Sequence, residues 1–125
     1  MNLPKQIDYW RNGAEEEIAV DRTILSSIRT YLAELPARGI HARRAVLFGS
    51  YARGDAHTWS DIDLVVIAPE FDGCHDLPLV QALWRARAQA DVRIEPIACG
   101  EAEWEAESAR PIIEVAKREG ILVAA

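Results

Sequence analysis

The chain has 125 residues, half of them hydrophobic and 27% charged, which is typical of one soluble globular domain. Its formal net charge of −6 argues against a large interface with a phosphate backbone, so a nucleic-acid polymer is not the expected ligand. No apolar run approaches the roughly 20 residues that cross a bilayer, and Met1–Lys5 lacks the apolar core of a signal peptide. Two cysteines are too few for a disulfide framework, so a cytoplasmic protein is the simplest expectation.

The first part of the chain is predicted to form an arm and then one long helix. Met1–Gly13 mixes proline, asparagine and glycine with aromatic residues and is interpreted as an arm with at most a short helix. Residues 14–125 are expected to form a single domain. Ala14–Leu35 is predicted to be helical because a stripe of residues, apolar except for one aspartate, recurs at three- and four-residue spacings. Pro36 and Gly39 end the predicted helix. The stripe comprises Ile18, Asp21, Leu25, Ile28, Leu32 and Leu35.

Two apolar segments separated by a polar connection follow. Ala45–Phe48 is predicted to be a short buried strand, and Gly49-Ser50 breaks it as a strand-to-helix turn does. Tyr51–Gly54 is expected to form a helical turn. Asp61–Ile67 is predicted to be a second strand, because its β-branched residues favour extended backbone.

The ends of these two strands carry the polar residues that point to chemistry. Asp61 and Asp63 are two residues apart on a strand, so their side chains project from the same face. Two adjacent carboxylates repel each other, and a divalent cation such as magnesium removes that penalty. Gly49 allows close backbone approach to a ligand, Ser50 adds a hydroxyl, and the following helical turn favours anions. The sequence therefore predicts a phosphate cradle beside a magnesium site.

The loop between the strands holds residues whose roles the sequence leaves open. Arg53 can contact a phosphate through its guanidinium or form an ion pair with Asp55 or another acid. Trp59 can stack on a base or pack on the protein as a lid. His57 is expected to be exposed to solvent.

The second half of the chain is predicted to add two strands and three helical segments. Leu77–Ala90 is interpreted as a helix with its proline in the first turn, after a loop at Cys74–Asp76. Asp91–Ile97 is predicted to be a third strand. A short helix or turn is expected from Gly100. A last helix is predicted over Ile112–Glu119, with Pro111 opening it, Gly120 ending it and Ile121–Val123 adding a short strand or an apolar tail.

A known family signature is present in the central segment. Gly49-Ser50, ten residues and then Asp61-Ile62-Asp63 resembles the signature of the minimal nucleotidyltransferases, in the DNA polymerase beta-like superfamily. Arg53-Gly54 and Ser60 match the same family pattern. The resemblance implies an α/β (α+β) fold, a small mixed sheet of three to five strands with helices packed against it.

The resemblance also implies a site. In that family the Gly-Ser turn binds the triphosphate, two aspartates bind magnesium, and a third carboxylate follows on a later strand. We expect the third acid to be Glu95, with Asp91 as the alternative. Glu95 departs from the commoner aspartate of the family, and Pro96 follows it directly in the predicted strand. The residues implied are Gly49, Ser50 and Arg53 for the nucleotide, and Asp61, Asp63 and Glu95 for magnesium and catalysis.

The reaction implied is transfer of a nucleoside monophosphate, with ATP as the donor, to an acceptor hydroxyl. The short chain leaves no length for an acceptor-binding domain, so a partner protein is expected to supply the acceptor. Compact members of the family resemble antitoxins that pair with a HEPN-type toxin and adenylylate it. A small hydroxylated acceptor, such as an aminoglycoside-like sugar, and a non-catalytic nucleotide- or partner-binding module are the alternatives, and a homodimer is left open.

Overall fold

The computed structural model describes residues 5–7, 20–73 and 76–124. Within them lie five strands and five α-helices, with 3-10 turns at Pro36–Arg38, Pro69–Phe71 and Arg87–Gln89. The strands are β1 (Lys5–Ile7), β2 (Arg44–Phe48), β3 (Ile62–Ile67), β4 (Ile94–Cys99) and β5 (Ile121–Ala124). The helices are α1 (Arg22–Glu34), α2 (Ser50–Arg53), α3 (Leu77–Ala86), α4 (Glu101–Glu105) and α5 (Pro111–Glu119). Within the described residues, no helix is both long and apolar enough to cross a bilayer.

All five strands form one mixed sheet in the order β1-β5-β2-β3-β4. Strand β2 is antiparallel to both β3 and β5, whereas β4 is parallel to β3 and β1 is parallel to β5. The predicted α+β fold with a small mixed sheet is therefore confirmed. Because β2 runs antiparallel to its neighbours, its C-terminal end lies at the same end of the sheet as the first residues of β3, β4 and β5.

Side chains are buried on both faces of the sheet. One face packs against α1 and α3 through residues that include Leu47, Ile62 and Leu64. The other packs against α4 and α5, with Val65 among its buried members and Trp104 contributed by α4. Burial on both faces explains why β2 and β3 are continuous apolar runs rather than alternating ones.

The long N-terminal helix begins later than the sequence predicted. Asp21 is its N-cap, and its Oδ1 accepts hydrogen bonds from the Thr23 backbone N–H at 2.8 Å and from the Thr23 hydroxyl at 2.7 Å. A side chain that satisfies the first free N–H groups fixes where a helix starts. The prediction of helix from Ala14 is thus wrong at residues 20 and 21, and residues 14–19 lie outside the described part.

The third predicted strand begins three residues later than expected and ends two residues later. Asp91–Arg93 is a turn, in which the Arg93 N–H donates to Asp91 Oδ1 at 2.9 Å, and Val92 is 67% exposed. The strand that follows, β4, lies at the edge of the sheet. Pro96 fits there because an edge strand bonds a neighbour on one side alone.

The remaining elements follow the prediction closely. The helix expected over 77–90 is α3 continued by a 3-10 turn, and the last helix and final strand are present with Gly120 between them. The predicted arm was expected to hold at most a short helix, and this is wrong at Lys5–Ile7, which forms β1 and pairs with β5 in the sheet. Residues 74 and 75 of the predicted loop lie outside the described residues, and the boundary at Gly13 stays a prediction.

Candidate active site

A cleft of about 480 Å³ opens at the end of the sheet where β2 finishes and β3, β4 and β5 begin. Its walls combine a polar set, in which four carboxylates face one arginine and two hydroxyls, with an apolar set from the sheet and α5. The polar set is Ser50, Arg53, Ser60, Asp61, Asp63, Glu95 and Glu119, and the apolar set includes Phe48, Ile97, Ile112 and Val115. All six predicted site residues are therefore brought to one place.

Strand register explains why the three predicted acids meet. Asp63 lies beside Phe48 of β2 on one side and beside Glu95 of β4 on the other. Asp61 precedes β3 directly and is exposed. Parallel pairing of β3 with β4 keeps the Asp63 and Glu95 side chains on the same face of the sheet.

The charges of these acids act on one another. Burial, followed by the charges of Asp61 and Glu119, raises the pKa of Asp63 above its usual value, and Arg53 opposes this in part. Burial, the charges of Asp61 and Asp63, and a hydrogen bond with Asp61 raise the pKa of Glu95. The cleft therefore gathers more negative charge than Arg53 neutralises.

Gly49 sits between β2 and α2 in a conformation that suits glycine alone. Its φ is 75° and its ψ is −152°, a region that residues with a side chain rarely occupy. A Cβ at this position would also overlap the Asp63 carboxylate oxygen Oδ2. The glycine thus lets the backbone turn directly against a carboxylate of the cleft.

The donors beside this turn are paired with an acid that sequence reasoning missed. Glu119 Oε1 accepts a hydrogen bond from the Gly49 backbone N–H at 3.1 Å and one from Arg53 Nη1 at 3.3 Å. Arg53 also contacts Asp55, at 3.3 Å. Of the two roles left open for Arg53, the ion pair is therefore present in the structure, beside the Gly49 turn.

The loop that leads to Asp61 is held by Arg93. Its Nη1 donates to the Tyr51 hydroxyl and to the Thr58 carbonyl, both at 3.0 Å. Its other nitrogens bind both carboxylate oxygens of Asp91, at 3.0 and 2.6 Å, and hydrogen bonds from Arg93 lower the pKa of Asp91. Asp91 is thus engaged in a structural ion pair and does not line the cleft.

Two other loop residues refine the prediction. Ser60 is buried, and its Oγ accepts from the His57 backbone N–H at 2.9 Å, which closes the turn before Asp61. Trp59 is 81% exposed, so of the two roles left open for it, the lid packed on the protein is not present. His57 is exposed, as predicted.

The carboxylates of the cleft have the donor chemistry that magnesium prefers, since all of them offer oxygen. Their mutual repulsion, which raises the pKa of Asp63 and Glu95, is a penalty that a cation relieves. Among the residues that the structure describes, no group of three or more His, Cys, Asp or Glu side chains is arranged to hold a metal ion. Magnesium is commonly held by one or two carboxylates together with substrate phosphates, and the residues present fit that mode.

Comparisons with known proteins bear on the same residues. A family model described as a nucleotidyltransferase domain matches residues 25–120, which include every acid of the cleft. A similar solved structure is that of a "putative nucleotidyltransferase from Sulfolobus solfataricus", which is 21% identical. The similarity covers 82% of this chain and 86% of that chain, with a TM-score of 0.49. A search of curated proteins found no match.

Proposed function

Because the chain belongs to the nucleotidyltransferase domain family, in the DNA polymerase beta-like superfamily, we propose that it transfers AMP from ATP to an acceptor hydroxyl with magnesium as cofactor. The observation that carries the proposal is the register that sets Asp63 between Phe48 and Glu95, directly against the Gly49 turn. That register brings acids and a turn from three strands into one cleft. Phosphoryl transfer depends mainly on positioning and on charge stabilisation, which such a cleft supplies.

The phosphate-binding part of the proposal rests on the turn after β2. Gly49 offers its N–H, Ser50 its hydroxyl and Arg53 its guanidinium, and all three line the cleft. A guanidinium suits phosphate because its N–H groups match two oxygens at once. We assign these three residues to the β- and γ-phosphates.

The metal-binding part of the proposal rests on the acids of the cleft. Asp61 and Asp63 would hold magnesium, and Glu95 would complete a second metal position. Bound magnesium would orient the α-phosphate and offset the charge that develops on it. The acceptor oxygen forms a bond to the α-phosphorus, the bond from that phosphorus to the pyrophosphate oxygen breaks, and Glu95 favours removal of the hydroxyl proton.

For the acceptor we propose a partner protein, with this chain as the antitoxin of a HEPN/MNT pair. Supporting this, Trp59 is 81% exposed two residues before Asp61, and Val92 is 67% exposed in the turn that Arg93 links to the same loop. Exposed apolar side chains beside a reactive cleft offer contacts to a protein that presents a hydroxyl there. A small hydroxylated compound as acceptor remains the second candidate, favoured by the size of the cleft, about 480 Å³.

The experiment is to purify the protein with any co-purifying partner, incubate with ATP and magnesium, and measure masses of the intact proteins. We expect one or more AMP units on the partner, and none after addition of a chelator. The Asp63→Asn variant should show no adduct. Glu95→Gln should lose transfer while Asp91→Asn retains it, because Asp91 does not line the cleft.

Three other outcomes would contradict parts of the proposal. Transfer that persists in Asp63→Asn would remove the assignment of the acids. Transfer to an aminoglycoside-like compound and not to a protein would replace the acceptor. Tight partner binding by Asp63→Asn without an adduct in any sample, wild type included, would replace the enzyme by a module that masks its partner.

A further inference from the structure

The pairing of two strands in the sheet determines the position of Glu119 at the cleft. Strands β2 and β5 are antiparallel with Leu47 opposite Ile121, so continuing the register two residues sets Gly49 opposite Glu119. Gly120 fixes the junction, since its N–H donates to the Ala116 carbonyl at 2.8 Å. The backbone that carries Glu119 is therefore tied to the sheet.

The contacts of Glu119 are those that a phosphate oxygen needs. A single oxygen, Oε1, accepts from the Gly49 N–H and from Arg53 Nη1. A backbone N–H and a guanidinium that converge on one oxygen form an anion site. The carboxylate at that site comes from the chain itself, and its side chain is 29% exposed, so a path outward to solvent exists.

We infer that Glu119 is a built-in competitor for phosphate, which determines how tightly and how selectively this cleft binds polyphosphates. This inference rests on the proposed function, because it assigns the same turn to the nucleotide. A phosphate group that binds to Gly49 and Arg53 must displace the Glu119 carboxylate. A magnesium-bound triphosphate makes enough contacts to do so, whereas an anion with few contacts gains too little.

The neighbouring charges favour such an exchange. The Glu119 charge is one of those that raise the pKa of Asp63, so the carboxylate stands close enough to repel the acids of the cleft. While it holds Arg53, it also orients the guanidinium toward the Gly49 turn. Glu119 thus keeps the cradle formed and at the same time reduces its affinity, as competition for a binding-competent state does.

The experiment measures binding of magnesium pyrophosphate, magnesium ATP and adenosine by calorimetry to wild type, Glu119→Gln and Glu119→Ala. Removing the competitor should tighten pyrophosphate and ATP binding by about tenfold in Glu119→Ala, the effect of one lost charge-assisted contact. Glu119→Gln keeps an acceptor for the Gly49 N–H without the charge, so its affinity should lie between the other two. Adenosine has no phosphate, and its affinity should not change.

A matched control is Glu107→Gln, which removes one negative charge from an exposed residue outside the cleft. It should bind pyrophosphate as wild type does, which separates the local competitor from a general charge effect. Thermal unfolding and circular dichroism establish that each variant is folded. If Glu119→Ala is not folded, Glu119→Gln, which conserves the shape of the side chain, decides the question.

The outcomes separate this inference from the proposed function. Tighter pyrophosphate binding without AMP transfer to any acceptor would support the competitor and contradict the enzyme. AMP transfer together with pyrophosphate affinity that is unchanged or weakened in both Glu119 variants would support the enzyme and contradict the competitor. Equal tightening for adenosine and for pyrophosphate would overturn the inference, as would absence of pyrophosphate binding in every variant, wild type included.

Discussion

Replacing Gly49 by alanine tests whether the turn after β2 needs both a positive φ and room for the Asp63 carboxylate. The backbone strain at φ 75° and ψ −152° should cost about 1–3 kcal/mol, because only glycine occupies that region readily. Overlap of the new Cβ with Asp63 Oδ2 should add about 1–3 kcal/mol, as overpacking does. We therefore expect Gly49→Ala to lower the free energy of unfolding by about 2–6 kcal/mol.

Urea denaturation of the metal-free protein, followed by circular dichroism, measures this loss. Gly54→Ala is the matched control, because Gly54 has a φ of 83° but a Cβ there would meet nothing within 4 Å. It should cost about 1–2 kcal/mol, the price of a left-handed alanine alone. It should also leave magnesium binding unchanged, whereas Gly49→Ala should weaken it by pushing the Asp63 carboxylate aside.

A double-mutant cycle isolates the overlap from the strain. In an Asp63→Ala background the remaining Cβ stands 3.4 Å from the new methyl, an ordinary contact. Gly49→Ala should then cost about 1–3 kcal/mol less than it does in wild type. An equal cost in both backgrounds would refute the steric argument and leave backbone strain as the whole effect.

Three further predictions concern stability. Asp63 has a raised pKa, so the folded state favours its neutral form. Without divalent metal, Asp63→Asn should therefore be more stable than wild type at pH 7. This difference in stability should vanish as the pH falls below about 4. Arg110 lowers the pKa of Glu103 to about 2, so Glu103→Gln should lower the free energy of unfolding by about 1–2 kcal/mol at pH 7. Wild type should lose this extra stability as the pH falls from 4.5 toward 2. Both are measured by urea titrations across pH. Gly120→Ala should cost about 2–3 kcal/mol, since its Cβ would overlap the Ala116 carbonyl and Val46, and a loss below 0.5 kcal/mol in urea, a roughly neutral change, would contradict that packing.

Elements with a strong local signal were predictable from the sequence. The apolar runs of β2 and β3 and the Gly49-Ser50 break between them depend on residues close together in the chain. Asp61 and Asp63 were assigned to one face because the period of a strand is two residues, and both line the cleft. Local patterns therefore sufficed for the part of the site that one segment contributes.

The start of β4 was mispredicted because a turn imitated a strand. Asp91, Val92 and Arg93 alternate polar and apolar residues as a half-buried strand does, but the Asp91–Arg93 ion pair closes a turn and leaves Val92 exposed. Alternation reports which side chains could share a face, and it carries no information on whether a partner strand is within reach. That partner, β3, begins at Ile62 and is paired from Ile94 onward.

Glu119 was missed for a related reason. Its helix was predicted correctly, yet the last residue of an amphipathic helix is usually in solvent, and no local pattern marks it as part of a site. Its place beside Gly49 follows from the pairing of β2 with β5, about 70 residues apart in the chain. A prediction of that pairing would have identified it, because the register fixes which residues face each other across two strand ends.

The balance of charge in the cleft determines the order in which its ligands can bind. Among the described residues that line it, four are acids and Arg53 alone is positive, and Arg53 is already shared by Glu119 and Asp55. A bare triphosphate would add negative charge to a site that already raises the pKa of Asp63 and Glu95. In the proposed reaction one magnesium ion would offset part of that negative charge, so we expect nucleotide to enter as its magnesium complex or after the metal. If Glu119 is displaced as inferred above, one further negative charge leaves the cleft as the phosphates arrive, and we expect metal entry and phosphate binding to favour each other.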